Sequence, residues 1–215
     1  MEIQHSERVM KQELANSLSH GFGILFGVVC IPVLIAFAAK TGNAASVVGA
    51  CIYGFSFLMV YTFSTLYHSF QQIQVKAMLK KLDHISIYFL IAGTYTPFIL
   101  IYLKNATGIA MLSALWGLTL VGIFFKAFHA GKYEKLSVSI YLLMGWILLA
   151  AGKTFFVSLP LPVITMVAIG GLLYTLGVFF YVRKDFVYHH AIWHFFVLAA
   201  GICHFVAVLL AVKPN

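Results

Sequence analysis

Acidic residues are scarce in this chain. Six aspartates and glutamates occur in 215 residues, and charged residues of either sign make up only 9%. A soluble domain carries about 25%, so a hydrated globular surface is excluded. Cysteine is scarce too. Cys30, Cys51 and Cys203 are odd in number and all lie in apolar runs, which argues against a disulfide framework and a cysteine-rich metal site. The polar residues 1–12 contain no apolar core followed by a cleavage site, so no secretory signal peptide is expected. No loop is long enough for a basic domain, and nucleic-acid binding is not expected despite a net charge of +8. That charge reads instead as cationic loops facing anionic lipid. What remains is apolar: 62% hydrophobic residues and a mean hydropathy of +0.96. This is the composition of an integral membrane protein.

A membrane-crossing helix needs about 20 apolar residues. The sequence predicts an all-α, seven-helix transmembrane bundle with spans near 17–39, 44–68, 83–102, 106–128, 136–151, 162–181 and 190–212. Polar or turn-forming stretches separate them: Lys40-Thr41-Gly42-Asn43, residues 71–81, Lys104-Asn105, residues 130–135, the Pro160–Pro162 region and Arg183-Lys184-Asp185. The fifth span is the least regular, with Lys153 near its end. Residues 1–16 form a short amphipathic entry segment. There is no internal repeat, low-complexity tract or linker, so residues 1–215 read as a single domain. One side of the membrane receives Arg8, Lys11, Lys76, Lys80, Lys81, Lys126, Lys132, Lys135, Arg183 and Lys184. The other receives Lys40, Lys104, Lys153 and Lys213. The positive-inside rule then places the N-terminus in the cytoplasm and the C-terminus outside. That is opposite to a G-protein-coupled receptor. No lysine in the last span is available for a retinal Schiff base.

Four strong ligands gather at the cytoplasmic ends of three spans. His68 ends the second, Asp83 begins the third, and His190 and His194 begin the seventh. His190 and His194 are four residues apart and share one helix face. Ser64 lies one turn deeper than His68 on the same face. Taken singly, each has an ordinary explanation. A histidine at a span end is an interfacial side chain, Asp83 caps a helix N-terminus, and Ser64 bonds back to the preceding turn. Together, ionisable groups at one depth in a membrane segment point to pairing or a functional site. Three imidazoles beside hard oxygen donors suit a zinc ion (Zn2+) better than calcium or magnesium. Haem fits less well, because an i, i+4 histidine pair is wasted on it. Asp83 would either handle the proton of an attacking water or orient a histidine.

A further group, Glu13-x-x-Asn16-x-x-x-His20, falls near one helical face at the same membrane edge. Its alternative reading is an entry helix capped by Asn16 or Ser17. His204 lies ten residues beyond His194, about 15 Å along a helix, too far to share an ion and suited to a hydrogen bond within the bundle. His5, His84, His129 and His189 lie near loops, with His84 and His189 expected to point away from the site.

The ordered set, Glu13-x-x-Asn16-x-x-x-His20, Ser64-x-x-x-His68 with Asp83, and His190-x-x-x-His194 with His204, resembles the hemolysin III branch of the progestin and adipoQ receptor (PAQR) family. The resemblance covers nearly the whole chain. It implies seven transmembrane helices with the N-terminus inside, zinc held by His68, His190 and His194, and Ser64 and Asp83 beside the reacting water. Without the long N-terminal region of the animal receptors, extracellular hormone recognition is not expected. The expected location is a cell membrane, the cytoplasmic membrane of a bacterium.

Two functions are expected from this resemblance and site. The first is a zinc-dependent, ceramidase-like hydrolase of lipid amides near the cytoplasmic leaflet. Membrane lipids would be its partners, Asp83 its proton carrier and Ser64 its hydrogen-bond donor. The second is a non-enzymatic protein with structural zinc, acting as a pore-forming cytolysin or a membrane-homeostasis sensor or receptor. No span carries a full polar stripe, and an oligomer is compatible but not indicated. A serine hydrolase built on Ser64 and His68 is weaker, because both share one helix and no nucleophile elbow is present.

Overall fold

The computed structural model describes residues 2–129, 132–183 and 185–213, with side chains from residue 6 onward. All regular structure among them is helical. The elements are α1 (Glu2–Lys40), α2 (Ala44–Ser69), α3 (Ile73–Tyr102), α4 (Ala106–His129), α5 (Glu134–Gly145), a 3-10 turn (Ile147–Leu149), α6 (Lys153–Ser158), α7 (Leu161–Val182) and α8 (His189–Val212).

The turns form where the residues demand them. Gly42 takes a φ of 65°, a left-handed conformation that ends α1 at little cost for glycine. Asn43 then caps α2, its side-chain oxygen accepting from the Ala45 N–H at 3.0 Å. Asn105 accepts from the Gly108 N–H at 3.0 Å at the start of α4. Pro162 sits in the first turn of α7, where its missing N–H costs nothing.

Among the described residues, six helices are long and apolar enough to cross a membrane: α1, α2, α3, α4, α7 and α8. The fifth expected span is broken. Trp146 leaves the helical path, a 3-10 turn follows, and Gly152 adopts φ 54°, ψ −142° before α6 begins. The broken segment still runs beside α3 and α7. Lys80 meets Glu134 at 3.4 Å, the Tyr95 hydroxyl donates to the Gly145 carbonyl, and Trp146 Nε1 donates to Thr175 at 3.0 Å.

Two other expected boundaries also move. α1 is continuous across residues 16 and 17, so neither Asn16 nor Ser17 caps a helix. α3 begins at Ile73, leaving only residues 70–72 between it and α2. Polarity marked the edge of the apolar run, but Lys, Gln, Met, Leu and Ala are good helix formers, so the helix extends ten residues before Asp83. Asp83 therefore lies inside α3 and caps nothing. Lys126, counted among the cytoplasmic-side charges near the end of the expected span 106–128, lies within α4 and is buried. Lys184 and the Ala130-Gly131 turn lie outside the described residues.

α2 packs on α1, α3 and α8. α3, the most enclosed of the six long helices, also touches α4 and α5, and α7 pairs with α8. Tyr53, Phe57, Tyr61, Ser64 and His68 form one buried stripe on α2, at intervals of three or four residues. The Tyr53 and Tyr61 hydroxyls donate to the carbonyls of Gly201 and Val197 on α8, each at 3.1 Å. Those two bonds fix how α2 rolls against α8, and so where His68 points. On α1, Phe22, Leu25, Val28 and Val29 stay exposed, as do Leu120, Val121 and Phe124 on α4. These apolar faces suit a lipid surround rather than water.

Candidate metal centre

His68 lies in the last turn of α2, and α8 begins at His189, placing His190 and His194 one turn apart opposite it. The ring centroids lie 5.1 Å apart for His68 and His190, 5.1 Å for His68 and His194, and 4.6 Å for His190 and His194. One nitrogen from each ring lies within 4.8 Å of the others. A zinc ion sits about 2.0–2.1 Å from histidine nitrogen, so three nitrogens this close need only small side-chain rotations to share one.

The hydrogen bonds decide which nitrogens face the centre. His68 Nδ1 lies 2.6 Å from Glu13 Oε2. An ionised carboxylate only accepts, so Nδ1 carries the proton and Nε2 is left with its lone pair. His194 Nδ1 lies 3.1 Å from the Asn16 carbonyl oxygen, which also only accepts, and the same tautomer follows. The Nε2 atoms of His68 and His194 are both buried and lack a protein hydrogen-bond partner. A buried imidazole nitrogen left without a partner is costly. Two of them converging with His190 make a donor set that fits a metal ion. The Glu13–His68 contact is the carboxylate–histidine arrangement that orients a metal ligand.

Glu13 is itself held. Its other oxygen accepts from Lys76 Nζ at 2.8 Å, Lys76 also reaches Gln71 at 3.1 Å, and Gln71 donates to the His68 carbonyl at 3.1 Å. The Ser19 hydroxyl donates to the Asn16 carbonyl at 2.7 Å and lies 3.1 Å from His194 Nδ1. His20 stacks on His194 with centroids 3.7 Å apart and planes 14° apart, and both its ring nitrogens are buried without partners. The structure thus brings Glu13, Asn16 and His20 of α1 against the three histidines from two other helices.

Asp83 lines the same cavity as His68 and His190, and Ser64 stands one turn before His68 on α2. Both are buried, and the Ser64 hydroxyl lies against the Asp83 carboxyl without completing a hydrogen bond. Ser64 makes no bond to His68 either, whose Nδ1 is taken by Glu13, so the serine-hydrolase arrangement is not formed. His204 stands apart: its Nε2 donates to the Val167 carbonyl at 3.2 Å, against Gly170 and Tyr174. His189 bonds the Phe180 carbonyl at 3.1 Å.

A cavity of about 450 Å³ is lined by His68 and His190 and also by Asp83, Tyr95, Trp146, Val167 and His204. Its walls include His84, expected to point away, Glu134, expected in a loop, and Lys126, counted among the basic residues of the cytoplasmic side. A lysine two residues before the end of the expected span 106–128 was a readable signal, because a charge inside a span usually faces a cavity. Tyr141 and Tyr181 carried no such signal. Burial by α5 and α7 alone brings them in.

Comparison with known proteins agrees with this architecture. A family profile described as "Haemolysin-III related" matches residues 8–205. The chain is 42% identical over 200 residues to "Hemolysin-3 homolog" of Bacillus subtilis (strain 168), covering 93% of this chain and 94% of the relative. It is 39% identical over 206 residues to "Hemolysin-3" of Bacillus cereus, covering 96% and 94%. It is also 26% identical over 214 residues to "Monocyte to macrophage differentiation factor" of Homo sapiens, covering 92% and 83%. Apolar helices in this number, with bacterial relatives aligned nearly end to end, make it a multi-pass protein of the cell membrane. The matched span contains Glu13, the whole of α2 and α3, and the histidines of α8, and by that match the chain belongs to the haemolysin III-related family.

Proposed function

We propose that this chain is a zinc-dependent hydrolase that cleaves an amide bond of a membrane lipid at the cytoplasmic edge of a single seven-span domain. The observation that supports it most is the pair of buried, unpartnered Nε2 atoms on His68 and His194, converging with His190, which together with His68 lines a largely apolar cavity. His68, His190 and His194 would hold the ion. Zinc, when bound by three protein ligands, supplies Lewis acidity toward a carbonyl and lowers the pKa of water. Glu13 and the Asn16 carbonyl keep His68 and His194 in the tautomer that binds. The Asp83 carboxylate takes a proton from the attacking water and delivers it to the amide nitrogen as the carbon–nitrogen bond breaks. Ser64 offers its hydroxyl proton to the carbonyl oxygen as negative charge builds there. The inner cavity, from Tyr95 to Val167, receives the acyl chain. In this topology the broken segment 134–158 provides the fifth crossing.

The test is turnover of a panel of fluorescent lipid amides by purified full-length protein, alongside its metal content. Wild type should hold about one zinc per chain and release fatty acid. His190→Ala should lose the metal and at least about 100-fold of the rate, the scale expected when a ligand acting in the transition state is removed. Equal turnover by the two proteins would remove this reading.

The relatives' printed name favours a second reading, a membrane-permeabilising protein in which zinc only fastens α2 to α8. Dye release from liposomes separates the two. Dose-dependent leakage that survives His190→Ala with no amide turnover would select the second.

A further inference from the structure

Lys126 lies inside α4, a helix long and apolar enough to cross the membrane, and its side chain is 1% exposed. Among the described residues its ammonium makes no ion pair and no hydrogen bond, and it borders the cavity that His68 and His190 also line. A cation in a membrane-embedded segment is costly and is normally matched by a partner. The charges acting on it are Glu134 and Lys80, and Glu134 is already engaged by Lys80 at 3.4 Å. On the same wall the His84 Nδ1 atom is buried without a partner. Two nitrogen groups therefore face one cavity, and among the described residues the Lys126 ammonium has only the Phe125 ring, 6.0 Å away, beside it.

We propose that Lys126, with His84 beside it, forms an anion-binding subsite, and that the lipid entering this cavity carries an anionic head group, a carboxylate or a phosphate. The subsite stands on the wall formed by α3 and α4, whereas the histidines come from α2 and α8. A lipid with its acyl chain in the inner cavity can then present its head group to Lys126. The inference deepens the function proposed above by naming the charge of the substrate's head, but it rests on the cavity and not on turnover.

Equilibrium binding separates the two. Full-length protein in neutral phosphatidylcholine nanodiscs would be titrated with three fluorescent amphiphiles of equal chain length: an N-acyl glycine, an alkyl phosphate and a neutral N-acyl ethanolamine. Wild type should bind at least one anionic probe about tenfold tighter than the neutral one. Lys126→Met should abolish that preference and Lys126→Arg retain it, with metal content unchanged in both. Preference for carboxylate or for phosphate alone would assign the head group. Because Lys126→Met alters a buried position, Glu134→Gln serves as a second variant at a partly exposed one. Removing the competing carboxylate should tighten anionic binding several-fold and leave the neutral probe unaffected. Equal affinity of wild type for charged and neutral probes would overturn the proposal. So would a preference that persists in Lys126→Met, or no gain in Glu134→Gln. Binding that follows this pattern in a protein without turnover would keep the subsite and discard the hydrolase.

Discussion

At the scale of single residues, the geometry at Glu13 is the most informative. A lone glutamate near an entry helix reads as a surface charge, yet its two oxygens divide between His68 Nδ1 at 2.6 Å and Lys76 Nζ at 2.8 Å. The pair with His68 sets the tautomer, and the pair with Lys76 keeps Glu13 ionised and in place. Outer partners of metal ligands are typically worth about 10–100-fold in affinity. Glu13→Gln should therefore weaken zinc binding by about that factor, read by competition with a chromophoric chelator, while the helical circular dichroism stays unchanged. Unaltered affinity would reduce the contact to simple packing. His68, Asp83, His190 and His194 could be singled out from type and spacing. Glu13's bond could not, since 55 positions separate it from His68.

At the scale of elements, the segment between α4 and α7 departs most from expectation. Its residues are apolar enough for a span, but Gly145, Gly152 and Lys153 interrupt the helix-forming run. Gly152 takes a positive φ with ψ near −142°, a combination that only glycine adopts without strain. Gly152→Ala should cost about 1–3 kcal/mol, seen as a lower midpoint of thermal unfolding in detergent, with zinc content unchanged because the histidines lie on α2 and α8. The ends of the other helices follow the opposite lesson. The polar stretch before Asp83 stops the apolar run but not the helix, since hydropathy and helix propensity are separate properties of the same residues.

At the scale of the whole molecule, the number of crossings decides which sides the termini face. Six crossings put both termini on one side, and seven put them on opposite sides. Single cysteines placed at Ser6 and Lys213 in a cysteine-free background should label from opposite faces of intact cells, Ser6 from inside and Lys213 from outside, as the excess of basic residues on one side requires. Labelling of both from the same face would make the broken segment 134–158 a re-entrant piece rather than a crossing. Metal removal tests the long-range connection, because the histidine cluster joins α2 to α8 across more than a hundred residues of chain. With free zinc at about 100 times its dissociation constant, binding adds about 2.7 kcal/mol to the folded state. Chelation should lower the unfolding midpoint of wild type by several degrees and leave His190→Ala unmoved.

The sequence by itself determined that this is a helical membrane protein. Solvent quality depends on composition, and backbone polar groups in lipid must be satisfied within each segment. It also determined that His190 and His194 share a face, because four residues is a little over one helical turn. Only the tertiary structure decided that the unpartnered nitrogens of His68 and His194 meet His190, that Glu13 and Asn16 set their tautomers, and that Lys126 faces the cavity. Each of those depends on how helices roll and slide against one another. That is fixed by contacts such as Tyr53 to Gly201 and Tyr61 to Val197, between residues whose separation along the chain carries no trace of their meeting.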